Sequence, residues 1–354
     1  MKNTIYYTII IIMMQSSFLK ACTAFCLKDS TQLILAKNLD WPINDGLIFL
    51  NMKGVRKVAF TQQPKKISWV SKYGSITFNQ FGKEFPLGGM NEAGLVIEEL
   101  NLFGTGPQDD SLYTVNEFQW VQYYLDNYSS VSEVLEDSIP VAVSPMFVNL
   151  HYLISDKQGN TAIIEFYDGK IHIYHGKEIQ YPVLSNNTYR NSLKYIKNFK
   201  GFGGDLPIRN ETTSGERFVK AVVLSKNIHT RSNKSLVSKA FSILDSVKQK
   251  DTQWSIVYDI ANFKIFFYTS SCSNMKIINV RKFDFSCTSS YKYYDILSLD
   301  SGCINEKYKE FYPQKNTDLL MSVFEKYKTF ELGEATKELF LDLADFGNFI
   351  QCSD

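Results

Sequence analysis

The apolar positions of this chain come in strand-length runs near its start and in its second half, with helical spacing between them. Ala24 to Leu27 and Leu33 to Ala36 are short apolar runs parted by Lys28-Asp29-Ser30-Thr31, a pattern that predicts a hairpin. Leu150 to Ser155 and Thr161 to Tyr167 flank Asp156-Lys157-Gln158-Gly159-Asn160, and Ile171 to Tyr174 follows Asp168-Gly169, so an antiparallel meander is predicted there. Thr114 and Glu117 have the spacing of a capping box ahead of Phe118, Val121, Leu125 and Tyr128, which share one helical face. Residues 216–226 and 233–248 predict a helical pair, the second with Leu236, Ala240, Ile243, Leu244 and Val247 in register. Strand runs return at Trp254 to Tyr258, Lys264 to Thr269 and Met275 to Val280. Sheet, helices and sheet again predict an α+β protein whose sheets are covered by helices.

The first 21 residues have a different pattern. Lys2 precedes an apolar stretch from Ile5 to Met14, then polar Gln15-Ser16-Ser17 and the small Ala21. This predicts a signal peptide cut after Ala21, hence a secreted or periplasmic protein, and the stretch is too short to span a bilayer. Cleavage would leave Cys22 as the new N-terminus. Three uses of that residue stay open at this point: a thiol nucleophile, a lipid-bearing cysteine of the Leu19-Lys20-Ala21-Cys22 box, and a disulfide with Cys26.

Composition narrows the class. At 354 residues, 44% hydrophobic and 21% charged, this is ordinary globular material. Without Lys2 and Lys20 there are 36 basic residues against 37 acidic, a net charge of −1, which argues against nucleic acid as a partner. No linker or repeat divides the chain, so we expect one large domain over 22–287 and a C-terminal helical appendage over 288–354. In that appendage Leu319, Leu320, Val323, Phe324 and Tyr327 form one apolar face, and Leu339, Phe340, Leu343 and Phe346 another, both expected to pack on the domain surface. Cys272, Cys287, Cys303 and Cys352 are expected to make two disulfides, with three pairings open.

The chemistry is bounded by scarce bases. Of four histidines, His151, His172 and His175 fall in the meander and His229 stands alone, with no metal-ligand spacing, so neither a metal nor another cofactor is implied. An N-terminal cysteine brings its own base, because a free α-amine has a pKa near ~8 and can take the thiol proton. Such a site then needs an acid to hold the amine, donors for an oxyanion and a nearby cation.

Cys22-Thr23-Ala24-Phe25, Lys37-Asn38-Leu39-Asp40-Trp41, and Gly88-Gly89-Met90-Asn91-Glu92-Ala93-Gly94-Leu95 running into Leu100-Asn101-Leu102 occur in that order. Leu184-Ser185-Asn186-Asn187 and Ser214-Gly215-Glu216-Arg217-Phe218 follow. Together they resemble the choloylglycine hydrolase family, which contains bile salt hydrolases and penicillin V acylases, over Cys22 to about Phe285. The resemblance implies the N-terminal nucleophile hydrolase fold, an αββα sandwich of two antiparallel sheets between helix layers. It implies Cys22 as nucleophile and base, Asp40 as the acid that orients the amine, Asn101 and Asn186 at the oxyanion, and Arg217 as a fixed cation. It usually has arginine where this chain has Lys37, which keeps a charge but loses the planar donor fork. The short segment between Asn186 and Arg217 is similar to the secreted Gram-negative branch, and oligomeric state stays open.

The implied activity is hydrolysis of a linear N-acyl amide of small-molecule size through a thioester. Bile salts, penicillin V, N-acyl homoserine lactones and fatty-acid amides all remain compatible. The alternative is a silent acyl-binding protein on the same fold, anchored through a lipidated Cys22, and Lys37 is the feature in its favour.

Overall fold

The structure, a computed structural model, describes residues 22–102, 113–137, 141–209, 213–227, 235–330, 332–350 and 352. The expected leader and His229 lie outside these residues. Elements are numbered in chain order.

One sheet has seven strands in the order β14 (Val183–Leu184), β1 (Thr23–Lys28), β2 (Leu33–Asp40), β15 (Thr252–Asp259), β16 (Lys264–Thr269), β17 (Cys272–Asn279) and β19 (Gly302–Cys303). The other has nine: β13 (Lys170–His175), β12 (Thr161–Tyr167), β11 (Leu150–Ser155), β8 (Val96–Asn101), β7 (Pro86–Asn91), β6 (Ser75–Asn79), β3 (Leu47–Asn51), β18 (Lys292–Asp295) and β20 (Lys309–Glu310). All neighbours within them are antiparallel except β17 with β19. Two short pairs stand apart, β4 (Arg56–Val58) with β5 (Ser68–Val70) and β9 (Thr114–Val115) with β10 (Ala142–Val143).

The sheets stack face to face. Phe78 of β6 meets Trp254 and Tyr258 of β15 and Phe267 of β16 across the interface. Helices α4 (Ser214–Lys226) and α5 (Leu236–Val247) cover the seven-stranded sheet, with α3 (Tyr189–Ile196) packed on α4, and α1 (Glu117–Asn127) covers the nine-stranded one, with the short α2 (Val131–Leu135) after it. This is the expected αββα sandwich. Burial on both faces explains why β2 is buried along its whole length rather than in alternation.

The predicted hairpin and meander form with the expected pairing. The predicted capping box does not. Thr114 belongs to β9, and the α1 cap is Asn116, whose side chain accepts from the backbone N–H groups of Phe118 and Gln119 at 3.0 and 2.8 Å. Glu117, fully buried, instead accepts from the N–H groups of Met146, Phe147 and Val148 and so fixes that loop.

The C-terminal part departs from the expected appendage. β18, β19 and β20 extend both sheets, so a boundary at 287/288 would cut through them. Only then come α6 (Pro313–Thr329) and α7 (Lys337–Phe349), a hairpin packed over the β6–β7 turn. Lys83 Nζ donates to the Gly347 and Ile350 carbonyls at 3.2 Å each, near the end of α7, while Ser322 and Lys326 of α6 bond Asp45. Cys287 and Cys352 form the single disulfide among the described residues, and the second expected bridge is absent. Cys303 pairs with Ile277 across β17 and β19, five residues from Cys272, roughly 17 Å of strand and beyond disulfide reach. No helix among the described residues is long and apolar enough to cross a membrane.

Candidate active site

Sheet register assembles the candidate site. β1 opposes β14 at Ala24↔Leu184, so two residues further Asn186 stands beside Cys22. β1 opposes β2 at Thr23↔Asn38, which puts Asp40 just past Cys22 on the other flank. Along β1 alternate side chains point to opposite sides. Cys22 lines the cavity between the sheets, and Thr23 meets Arg217, which α4 sends in from the outer layer.

Arg217 ties these strands together. One terminal nitrogen donates to the Cys22 carbonyl at 2.6 Å and to Thr23 Oγ1 at 2.5 Å, and it lies 3.9 Å from Asp40 Oδ2. The other donates to Asn186 Oδ1 at 2.8 Å. Asn186 Nδ2 in turn donates to the Asn101 carbonyl at 2.8 Å, which links the seven-stranded sheet to the end of β8 in the other. Asn186 keeps a second N–H on that nitrogen. Thus Cys22, Asp40, Asn101, Asn186 and Arg217, singled out from sequence positions up to 195 residues apart, form one continuous cluster.

Asp40 is buried, and its Oδ1 accepts from the Thr252 hydroxyl opposite it on β15. Its Oδ2 has no hydrogen-bond partner among the described residues. Burial pushes its carboxyl up to about 7, opposed by Arg217, by the Thr252 hydrogen bond and by Lys37, while Asp251 adds to the rise. With Cys22 still joined to Ala21 no amine is present to offset this. Between about pH 4 and pH 7 the folded chain then holds a proton that the unfolded chain has lost, so stability falls as pH rises through that window. Asp40→Asn in the uncleaved chain should flatten this decline in urea melts, and an unchanged slope would show that Asp40 does not cause it.

The Cys22 thiol is buried. Desolvation pushes it up to about 12 against the Lys37 ammonium, and the Glu99 and Asp40 carboxylates add to the rise. Cys22 and Cys26 are both free thiols. Four residues of extended chain part them by roughly 13 Å, so the bridge left open by the sequence is excluded.

Lys37 does not point freely at the sulfur. Its ammonium lies 2.9 Å from Glu98 Oε2, 3.1 Å from Glu99 Oε1 and 3.4 Å from the Leu87 carbonyl, all buried. Burial alone would push its pKa down, but Glu98, Glu99 and Cys22 together hold it above the usual lysine value. Glu98 also accepts from the Tyr258 hydroxyl, across the sheet interface. Gly88 opposes Glu98 in the β7–β8 ladder, and a Cβ there would lie 2.2 Å from the carboxylate, so the close approach needs glycine. Sequence reading missed these two glutamates. Two acids inside the apolar run Val96-Ile97-Glu98-Glu99-Leu100 were the available signal.

Cys22, Asp40 and Asn101 line a small cavity of about 40 Å³ whose other walls are mainly apolar: Leu39, Trp41, Phe81, Leu87, Phe118, Phe147, Val148, Leu150 and Tyr327, with Gln80 and Glu99. Phe147 and Val148 stand on the loop that Glu117 anchors. No histidine lines it among the described residues.

The comparisons with known proteins agree with this architecture. A penicillin V acylase of Pectobacterium atrosepticum is 25% identical over an alignment of 313 positions, covering 75% of this chain and 82% of that one. The structure of penicillin V acylase from Agrobacterium tumefaciens superposes with a TM-score of 0.71 at 27% identity, over 82% of this chain and 98% of the other. A variant of conjugated bile acid hydrolase from Clostridium perfringens shares the fold, with a TM-score of 0.64 at 18% identity over 79% of this chain and 99% of that one. Residues 22–293 match the family described as linear amide C–N hydrolases, choloylglycine hydrolase family, and the chain belongs to that family of enzymes acting on non-peptide C–N bonds.

Proposed function

We propose that removal of residues 1–21 frees the α-amine of Cys22 and converts a buried thiol into the nucleophile of a secreted or periplasmic amidase for small N-acyl amides. The observation that supports this best is the register that sets Asp40 and Asn186 on either side of Cys22, with Arg217 bridging them, at the wall of one apolar cavity. The new amine takes the thiol proton, and the sulfur attacks the acyl carbon. Asp40 Oδ2 supplies the free acceptor that orients the amine. The second N–H of Asn186 and the Asn101 side chain are the donors for the oxyanion. The C–N bond then breaks as the proton passes to the leaving amine, leaving a Cys22 thioester. Water, deprotonated by the same amine, releases the carboxylic acid and restores the thiol.

The cavity takes the acyl part of the substrate, since its walls are aliphatic and aromatic. The relatives named as penicillin V acylases make phenoxyacetyl amides the first to try, beside conjugated bile acids, N-acyl homoserine lactones and fatty-acid amides. A lipid on Cys22 would require the buried sulfur to leave the space beside Asp40 and Glu99. Expression of the full chain, intact-mass analysis of its N-terminus and hydrolysis assays on the four amide classes test the reading. An N-terminus at unmodified Cys22 with hydrolysis of at least one class is expected. A retained Met1 or a diacylglyceryl adduct in active protein would overturn the mechanism, and a correctly cut protein that hydrolyses none would favour the silent binder.

A further inference from the structure

One of the residues lining the cavity lies beyond the part of the chain matched to the family. Tyr327 stands on α6, outside the matched residues 22–293. Its ring lines the Cys22 cavity, and it also lines an open surface cleft together with Phe324, Lys328, Gly333 and Leu339. Cys22 does not line that cleft. Tyr327 is therefore a partition between the two spaces.

The partition is held firmly. The ring is 3% exposed and packs edge-on against Phe147, at 5.8 Å between centroids, and tilted against Phe340 at 6.0 Å. The turn after α6 folds back over it: Leu332 N–H donates to the Tyr327 carbonyl, and Gly333 sits so close that a Cβ would lie 2.7 Å from the hydroxyl. Gly333 also has φ 148°, which favours glycine. The helix pair carrying Tyr327 is tied down by the Cys287–Cys352 disulfide and by the Lys83 bonds to the end of α7.

We propose that Tyr327 is the end wall of the acyl site and sets the longest acyl chain this enzyme accepts. The proposal rests on the reading that the acyl group occupies the Cys22 cavity. A straight chain growing from the acyl carbon finds apolar wall until it meets this ring, and each methylene that gains such a wall is worth roughly fourfold in affinity. Beyond the ring the cleft offers Phe324 and Leu339 as further apolar surface. Replacing Tyr327 with a smaller residue joins cavity to cleft and lets longer chains continue outward.

The test separates binding from chemistry. Affinities of N-acyl amides from butanoyl to dodecanoyl are measured on cleaved Cys22→Ser protein, with and without Tyr327→Leu and Tyr327→Ala. With Tyr327 present, affinity should rise with length and then break. In the variants the break should move to longer chains, further for alanine than for leucine, with at least about a tenfold gain for dodecanoyl over hexanoyl. Tyr327→Phe should keep the original break. Thermal melts identify folded variants, and leucine carries the test if alanine does not fold. An unmoved break in folded variants overturns the proposal. A failure of the N-terminal cysteine reading shows itself separately, as absent hydrolysis by cleaved wild-type protein that still binds the series.

Discussion

Cys22→Ala in correctly cleaved protein should lower kcat/KM on the best amide by about a thousandfold or more, because it removes the attacking atom and leaves only binding and oxyanion donors. Cys22→Ser should do nearly as badly. A hydroxyl has a far higher pKa than a thiol, and an α-amine near ~8 is too weak a base to compensate. Binding of the amide should persist in both, since Leu39, Trp41, Phe118 and Phe147 still line the cavity. The same logic applies to the uncleaved chain, whose buried thiol is pushed up to about 12. Iodoacetamide at pH 8 should label Cys22 slowly before cleavage and much faster after it, read by peptide mass. Retained activity of Cys22→Ala on the same amide would end the mechanism proposed for this cysteine.

The second large effect is expected on stability. Lys37→Met should destabilise the fold by about 3–5 kcal/mol at pH 7, the usual cost of breaking a buried ion pair from one side. Glu98 and Glu99 would be left buried with no cation between them, and the Glu98 carboxyl, already raised by burial, would rise further. The loss should therefore shrink as pH falls and the carboxyls protonate, and Glu98→Gln added to Lys37→Met should recover part of it. Urea melts of the single and double variants at two pH values check this. A single variant within about 1 kcal/mol of wild type would show that the cluster is not an ion-paired unit. Lys37→Arg keeps the charge but adds bulk where three acceptors already satisfy the ammonium, so it should not raise turnover. In this chain Lys37 is one member of a closed ionic cluster, and that weakens its standing as a mark of a decayed site.

Much of the fold was legible because its elements are locally encoded. Asp156 to Asn160 is a turn-rich segment between two apolar runs and does connect a hairpin, and Leu236 to Val247 carries its buried face at helical spacing. The misreadings have equally local causes. Thr114 and Glu117 have the spacing of a capping box, but β9 claims Thr114 through its pairing with β10, and Asn116 outcompetes it as the cap. The later strands β18 to β20 are two to four residues long, too short to show a period, so they read as part of an appendage.

The sequence by itself singled out the residues that cluster at Cys22, because the family's motifs are short contiguous strings and survive where overall identity is low. It also supplied the expectation that the base is an amine, since so few histidines are present. Distance between those motifs was decided only by the tertiary structure: antiparallel register brings Asn186 beside Cys22, and α4 supplies an arginine that no spacing rule connects to either. The same holds for Lys37, whose charge is visible in the chain but whose two glutamates lie on a strand of the other sheet, and for Tyr327, an apolar helical position by pattern. A periodic pattern records that a side chain is buried, and only the packing of distant elements decides against what.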